Sequence, residues 1–213
     1  MKITLFHGTE KNFIDPIFGF GNKNNDYGLG FYLTPNYILA AEWACQYVHE
    51  SNVNEYELDL NGLKILDLTK GRKTILNWIA ILLHHRKLTH SFMYEYETEL
   101  EFLERYYIDV SKYDVVKGYR ADDSYFAFPK AFLAENLTIE MLEKIFMLGD
   151  LGLQYALISE KAFKQLDYVG TTTCQCHQEF IKRKDEAISL FIKYEKEDRF
   201  SKGTRLRDLI NND

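Results

Sequence analysis

Apolar and polar residues alternate along Lys2-Ile3-Thr4-Leu5-Phe6-His7, which predicts a strand with Ile3, Leu5 and His7 on one face and Thr4 and Phe6 on the other. His7 then ends the strand, at a sheet margin. From Phe18 to Gly30 the chain is rich in Gly, Asn and Asp, which tolerate left-handed backbone, so this stretch reads as a loop. Phe31-Tyr32-Leu33 resumes as a short strand, and Thr34-Pro35 offers an N-cap with proline at the first helical position. Ile38, Ala41, Cys45 and Val48 recur at helical spacing, predicting a helix to about Glu50 with one buried side.

Tyr56 to Leu60 alternates, Asn61-Gly62 is a strong turn signal, and Leu63 to Leu68 alternates again, so the pattern predicts a β-hairpin. Helical runs follow from Lys73 to about Lys87, apolar at Ile75, Trp78, Ile79, Leu82 and Leu83, and from about Tyr94 to Tyr107. Tyr113 to Tyr119 reads as a strand leading into the polar Arg120-Ala121-Asp122-Asp123-Ser124. A helix near Thr138 to Leu148 precedes a strand from Leu153 to Ser159, with Gln154 on the face opposite Leu153, Tyr155 and Leu157. Gln178 to Glu197 is a charged helix whose expected buried positions are Ile181, Ala187, Leu190 and Phe191. No internal repeat interrupts this order.

The chain has 213 residues, which suits one domain with a substantial core. Hydrophobic residues at 46% and charged residues at 27% describe an ordinary globular sequence and argue against disorder. A net charge of -6 gives no global attraction to phosphates or to an anionic membrane, so a nucleic-acid partner would need a local basic patch. No apolar run approaches the ~20 residues of a membrane span, and the expected location is the cytoplasm. Cys45, Cys174 and Cys176 are three cysteines without framework spacing, expected as free thiols. Cys174-x-Cys176-His177 has no second cluster to complete four ligands, so no metal is expected. His84, His85 and His90 beside Arg86 and Lys87 read as a polar helix end, and Lys182-Arg183-Lys184 as a solvated face.

Chemistry concentrates near the start. Phe6-His7-Gly8-Thr9 is followed by Asp26-Tyr27-Gly28-Leu29-Gly30-Phe31-Tyr32, and this pair resembles the His-Gly-Ser/Thr and Tyr-Gly-x-Gly-x-Tyr elements of the ADP-ribosyltransferase superfamily of the diphtheria-toxin and poly(ADP-ribose) polymerase type. The whole chain is similar to a bacterial branch of that superfamily with a domain-of-unknown-function label. That branch has a Gly-x-x-Ala-Asp-Asp segment, matched by Gly118 to Asp123, and a late Gln strand followed by Ser/Thr-Glu-Lys-Ala, matched by Gln154 and Ser159-Glu160-Lys161-Ala162. A Rossmann fingerprint is the weaker reading of Gly28 and Gly30, because no third glycine stands at the required spacing.

The resemblance implies an α+β fold: a split antiparallel β-sandwich with flanking helices, a helical insertion at about 73–108 and a helical tail at about 176–213. It implies NAD as substrate. His7 would hydrogen-bond the adenosine ribose, the Gly8 backbone, close because glycine has no side chain to hold it off, would meet the nicotinamide carboxamide, and Thr9 and Gly30 would belong to the same NAD-binding set. Tyr32 would stack on the nicotinamide ring, with Trp43 near its second face. Gln154 stands where better-known members carry a catalytic Glu. An amide can position ribose but cannot act as a carboxylate base, so either Asp122 or Asp123 assists the acceptor or the acceptor suffices alone. The implied activity is transfer of ADP-ribose to a macromolecule, protein before nucleic acid, as in a bacterial toxin, effector or phage-defence component that an antitoxin or immunity protein would restrain. NAD hydrolysis, or a catalytically silent NAD- or partner-binding module, are the alternatives.

Overall fold

A computed structural model describes the chain except residues 14, 71, 87–95, 121–126, 148–151 and 212–213. Two sheets form its frame. β1 (Lys2–Thr9), β3 (Ser51–Asp59) and β7 (Leu166–Cys174) make an antiparallel sheet with β3 in the centre. β2 (Phe31–Leu33), β4 (Ile65–Asp67), β5 (Val115–Tyr119) and β6 (Leu153–Leu157) make a second sheet in the order β2-β6-β5-β4. The β4–β5 pair is parallel, which departs from an all-antiparallel arrangement.

The expected hairpin at Asn61-Gly62 does not form. The turn is present, with Gly62 at φ 72°, but the strands on its two sides belong to different sheets. Both edges of β3 are already taken, by β1 and by β7, so the chain leaving β3 has no edge of that strand to return to. It crosses to the second sheet instead. β7 itself gives no clear signal in the sequence, because as an edge strand it is largely exposed and carries little apolar alternation.

Alternation in β1 divides its side chains as expected. Ile3 and Leu5 join Phe31, Leu33, Tyr56, Leu58, Val115 and Leu157 in a core between the sheets, while Phe6 packs toward Ala40, Ala41 and Ala44 of α1 (Tyr37–Ala44). α1 starts later and ends earlier than its periodicity suggests. The backbone N–H and C=O of Thr34 are both bonded to Phe6, at 2.9 and 2.8 Å, so Thr34 cannot cap the helix. Asn36 does so, its Oδ1 accepting from the Ile38 amide at 2.9 Å. Ile38 is consequently on the solvent side.

The larger core lies on the other face of the second sheet, under α2 (Arg72–Arg86), α3 (Tyr96–Tyr106), α4 (Ala127–Leu133), α5 (Ile139–Met147), α7 (His177–Asp198) and α8 (Leu206–Asn211). α2 is buried all round from Trp78 to Leu83, so this part of the expected insertion is core structure. α6 (Glu160–Lys164) is short and capped by Ser159, whose Oγ accepts from the Ala162 amide. On α7, Ala187 is buried and Leu190 and Phe191 pack on the core, but Ile181 is exposed. Among the described residues no helix is long and apolar enough to cross a membrane.

Candidate functional site

Beyond packing over their shared core, the two sheets are joined backbone to backbone, among the described residues, by the reciprocal pair between Phe6 and Thr34. His7 is the next residue along β1, and beyond it the sheets part. A cleft of about 770 Å³ opens there, within the size range of small-molecule sites.

Of the residues the sequence nominates, His7, Gly30, Tyr32, Trp43 and Gln154 line this cleft. They come from β1, the loop before β2, β2 itself, α1 and β6. Register explains the convergence: Tyr32 pairs with Ala156, and Gln154 lies two residues along β6 on the same face.

His7 is half-buried, its ring 4.6 Å from that of Phe31 and 6.4 Å from that of Trp43. Its Nδ1 lies 2.8 Å from the Tyr32 carbonyl oxygen. A carbonyl only accepts, so Nδ1 carries the proton, and in the neutral ring Nε2 is left as an acceptor. Burial holds the imidazole pKa below its ordinary value, against the opposing pull of that hydrogen bond.

Tyr32 is buried, and its hydroxyl closes the preceding turn by donating to the Gly28 carbonyl at 2.7 Å and accepting from the Tyr27 amide at 3.0 Å. Burial raises its pKa, which keeps the donor proton in place. The Tyr27 ring lies parallel to Tyr32, with centroids 6.3 Å apart. Tyr27 in turn donates to the Tyr119 carbonyl at 2.8 Å and accepts from Trp78 Nε1 at 3.0 Å. Gly28, at φ 78°, occupies backbone space that side-chain-bearing residues avoid. Gly118 makes room for Tyr27, since a Cβ there would stand 2.0 Å from its hydroxyl oxygen.

Gly8 and Thr9 are not among the cleft-lining residues. A Cβ on Gly8 would lie 2.0 Å from the Ala40 carbonyl oxygen, so glycine lets α1 seat directly on β1. Phe6 directs its N–H and C=O to Thr34, away from β3, and the strand's two-residue period sends those of Gly8 to the same edge. Thr9 serves the local turn: its Oγ1 accepts from the Lys11 amide and its carbonyl from Ser51. Asp122 and Asp123 lie outside the described residues.

Trp43 is covered by the Arg120 guanidinium, 4.7 Å from the ring centroid, a cation–π contact with a buried cation. Beside it on α1, the buried Glu42 pairs with Arg183 of α7, fastening that helix across the cleft wall. Burial raises the Glu42 pKa and Arg183 opposes the rise.

Among the lining residues to which the sequence reading gave no site role of their own are Asp26, Arg86, Arg120 and Lys184. Asp26 directly precedes the Tyr27-Gly28 element, and that adjacency was the available signal. With Lys184 on the rim, the cleft gathers three cations against Asp15 and Asp26, a local basic bias in a chain of net charge -6. The arrangement suits an anionic ligand with planar rings.

The Cys174-x-Cys176-His177 segment packs elsewhere. Cys45 and Cys174 sulfurs are 3.7 Å apart, the Cys176 amide donates to Cys45 Sγ at 3.3 Å, and burial pushes the Cys174 thiol up to about 12.

No curated protein and no solved structure matches the chain. The sequence pattern of one family does, over residues 3–168, a span that holds every nominated cleft residue from His7 to Gln154. The chain therefore belongs to the family described as "Protein of unknown function (DUF3990)".

Proposed function

We propose that this chain is an ADP-ribosyltransferase that binds NAD in the cleft and moves ADP-ribose to a macromolecular acceptor, protein in preference to nucleic acid. One observation carries the reading: His7, Gly30, Tyr32, Trp43 and Gln154, nominated from scattered positions, line a single cleft. The two-sheet frame split beyond the Phe6–Thr34 bridge is in keeping with the ADP-ribosyltransferase-like fold that the sequence resembles. Action on a macromolecule inside the cytoplasm, as a toxin or effector, belongs to the same proposal.

The chemistry assigned to each group follows from its bonding. Nε2 of His7 accepts a hydrogen bond from a ribose hydroxyl, the polar edge of Gly8 pairs with the carboxamide, and Tyr32 and Trp43 supply aromatic surface for the nicotinamide. Arg120 and Lys184 offer charge to the diphosphate. Holding both ends of NAD lets remote contacts favour strain at the central bond. The C1′–N bond breaks with its electron pair leaving on nicotinamide, the acceptor's lone pair closes on C1′, and the acceptor proton passes to solvent.

The test is nicotinamide release from labelled NAD, with the label then followed. Label retained on protease-sensitive material supports transfer to protein. Free ADP-ribose alone would replace transfer by hydrolysis, and NAD binding without release would replace both by a silent module.

A further inference from the structure

One buried carboxylate in the cleft has no part in the reading above. Asp26 is 5% exposed. Burying a carboxylate is costly unless it is paired and hydrogen-bonded, and Asp26 is both. Its Oδ1 lies 2.7 Å from Nε of Arg86, and its Oδ2 accepts from Nε2 of Gln154 at 2.8 Å. A carboxylate only accepts, so the amide nitrogen of Gln154 must face it, and that nitrogen also donates to the Tyr119 carbonyl at 3.2 Å. Both amide hydrogens are thereby used. Toward a ligand, Gln154 offers its carbonyl oxygen. Asp26, Arg86 and Gln154 all line the same cleft.

We infer that Asp26 is the functional carboxylate of this site and that Gln154 is its ligand-facing extension, the pair standing in for one acidic side chain at position 154. The inference rests on the NAD reading. Asp26 is a positioning residue: it holds the Gln154 carbonyl toward the ribose hydroxyls. Balanced on one side by Arg86, the carboxylate draws on the Gln154 N–H and so polarises the amide, making its carbonyl oxygen the more negative partner for the cation that develops on the ribose as nicotinamide departs. The bonds made and broken are those of the transfer already given, and Asp26 itself gains no proton. Asp122 and Asp123 are not required.

The test uses the full chain and NAD, with nicotinamide release giving kcat and calorimetry giving Kd. Asp26→Asn is expected to lower kcat about 30- to 100-fold while Kd stays within about threefold, because the loss falls on charge in the transition state. The double variant Asp26→Asn with Gln154→Glu moves the charge across the same hydrogen bond, and should turn over at least about tenfold faster than Asp26→Asn alone. A structural part for Asp26 would gain nothing from that exchange. Asp26→Asn above about a third of wild-type kcat, or a double variant no faster than the single, overturns the inference. Should Asp26→Asn fail to fold, the double variant decides alone: kcat above about a tenth of wild type supports the inference and less overturns it. A wild-type chain that neither binds nor cleaves NAD sinks the parent reading as well, a failure visible before any substitution is made.

Discussion

His7 and Tyr32 are joined across the line where the two sheets part: the imidazole Nδ1 gives its hydrogen to the Tyr32 carbonyl at 2.8 Å. One ring thus ties β1 to β2 through one nitrogen and keeps the other as an acceptor. The two duties are separable by substitution. His7→Asn places an amide nitrogen near the Nδ1 position and nothing at Nε2. It should keep stability within about 1 kcal/mol of wild type, by urea unfolding, and lower nicotinamide release at least about tenfold. Equal losses in both measurements would contradict the separation.

Gly118 and Tyr27 form a second pair. Gly118→Ala sets a methyl against the Tyr27 hydroxyl and should cost roughly 2–4 kcal/mol by displacing a buried hydrogen-bonded ring. Tyr27→Phe in the same chain removes the struck oxygen, and about half of the lost stability should return. Two losses that merely add would mean that the methyl meets something else.

Acid should weaken the fold through histidine. Burial, with a smaller push from His84, lowers the His85 pKa to about 4, and burial lowers that of His7 as well. Each imidazole is neutral in the folded chain and takes its proton more readily when unfolded, so stability rises with pH across the gap. The contribution is complete above about pH 6.5 and is lost as pH falls toward 4. Discounted for partial exposure of His85, it amounts to roughly 2 kcal/mol. Unfolding free energies at pH 7.5 and 4 should differ by about that much less in His85→Asn than in wild type.

Trp43 and Trp78 are the two tryptophans, and Trp78 is fully buried. A ligand entering the cleft meets Trp43 alone of the pair. Titration with NAD should therefore change the intrinsic fluorescence, and Trp43→Phe should abolish the change while leaving the Trp78 emission. A persistent response in Trp43→Phe would place the ligand elsewhere.

The sequence makes some of this legible and hides the rest for physical reasons. Period-two alternation in β1 put His7 on the inner side, and the glycines and tyrosines of the 27–32 element marked the loop-to-strand junction correctly. Pairing was harder. Asn61-Gly62 looks like a hairpin turn because turn chemistry is local, whereas the occupation of both β3 edges is decided by β1 and β7 from far along the chain. Thr34 looks like a cap until its backbone is claimed by Phe6. Asp26 heads the tyrosine-glycine element with no role of its own there, and Arg86 reads as part of a polar helix end. Only folding brings them within 2.7 Å of each other and takes Asp26 out of water.

The central place of β3 between the first strand and the last has a consequence for synthesis. Residues 2–9 can pair with 51–59 early, but that sheet is complete only once 166–174 have followed, and Gln154 reaches the cleft only when β6 docks between β2 and β5. Contacts so distant in sequence form slowly, since long loops must close first. On the ribosome, the nascent chain therefore has no assembled cleft until β6 and β7 have emerged.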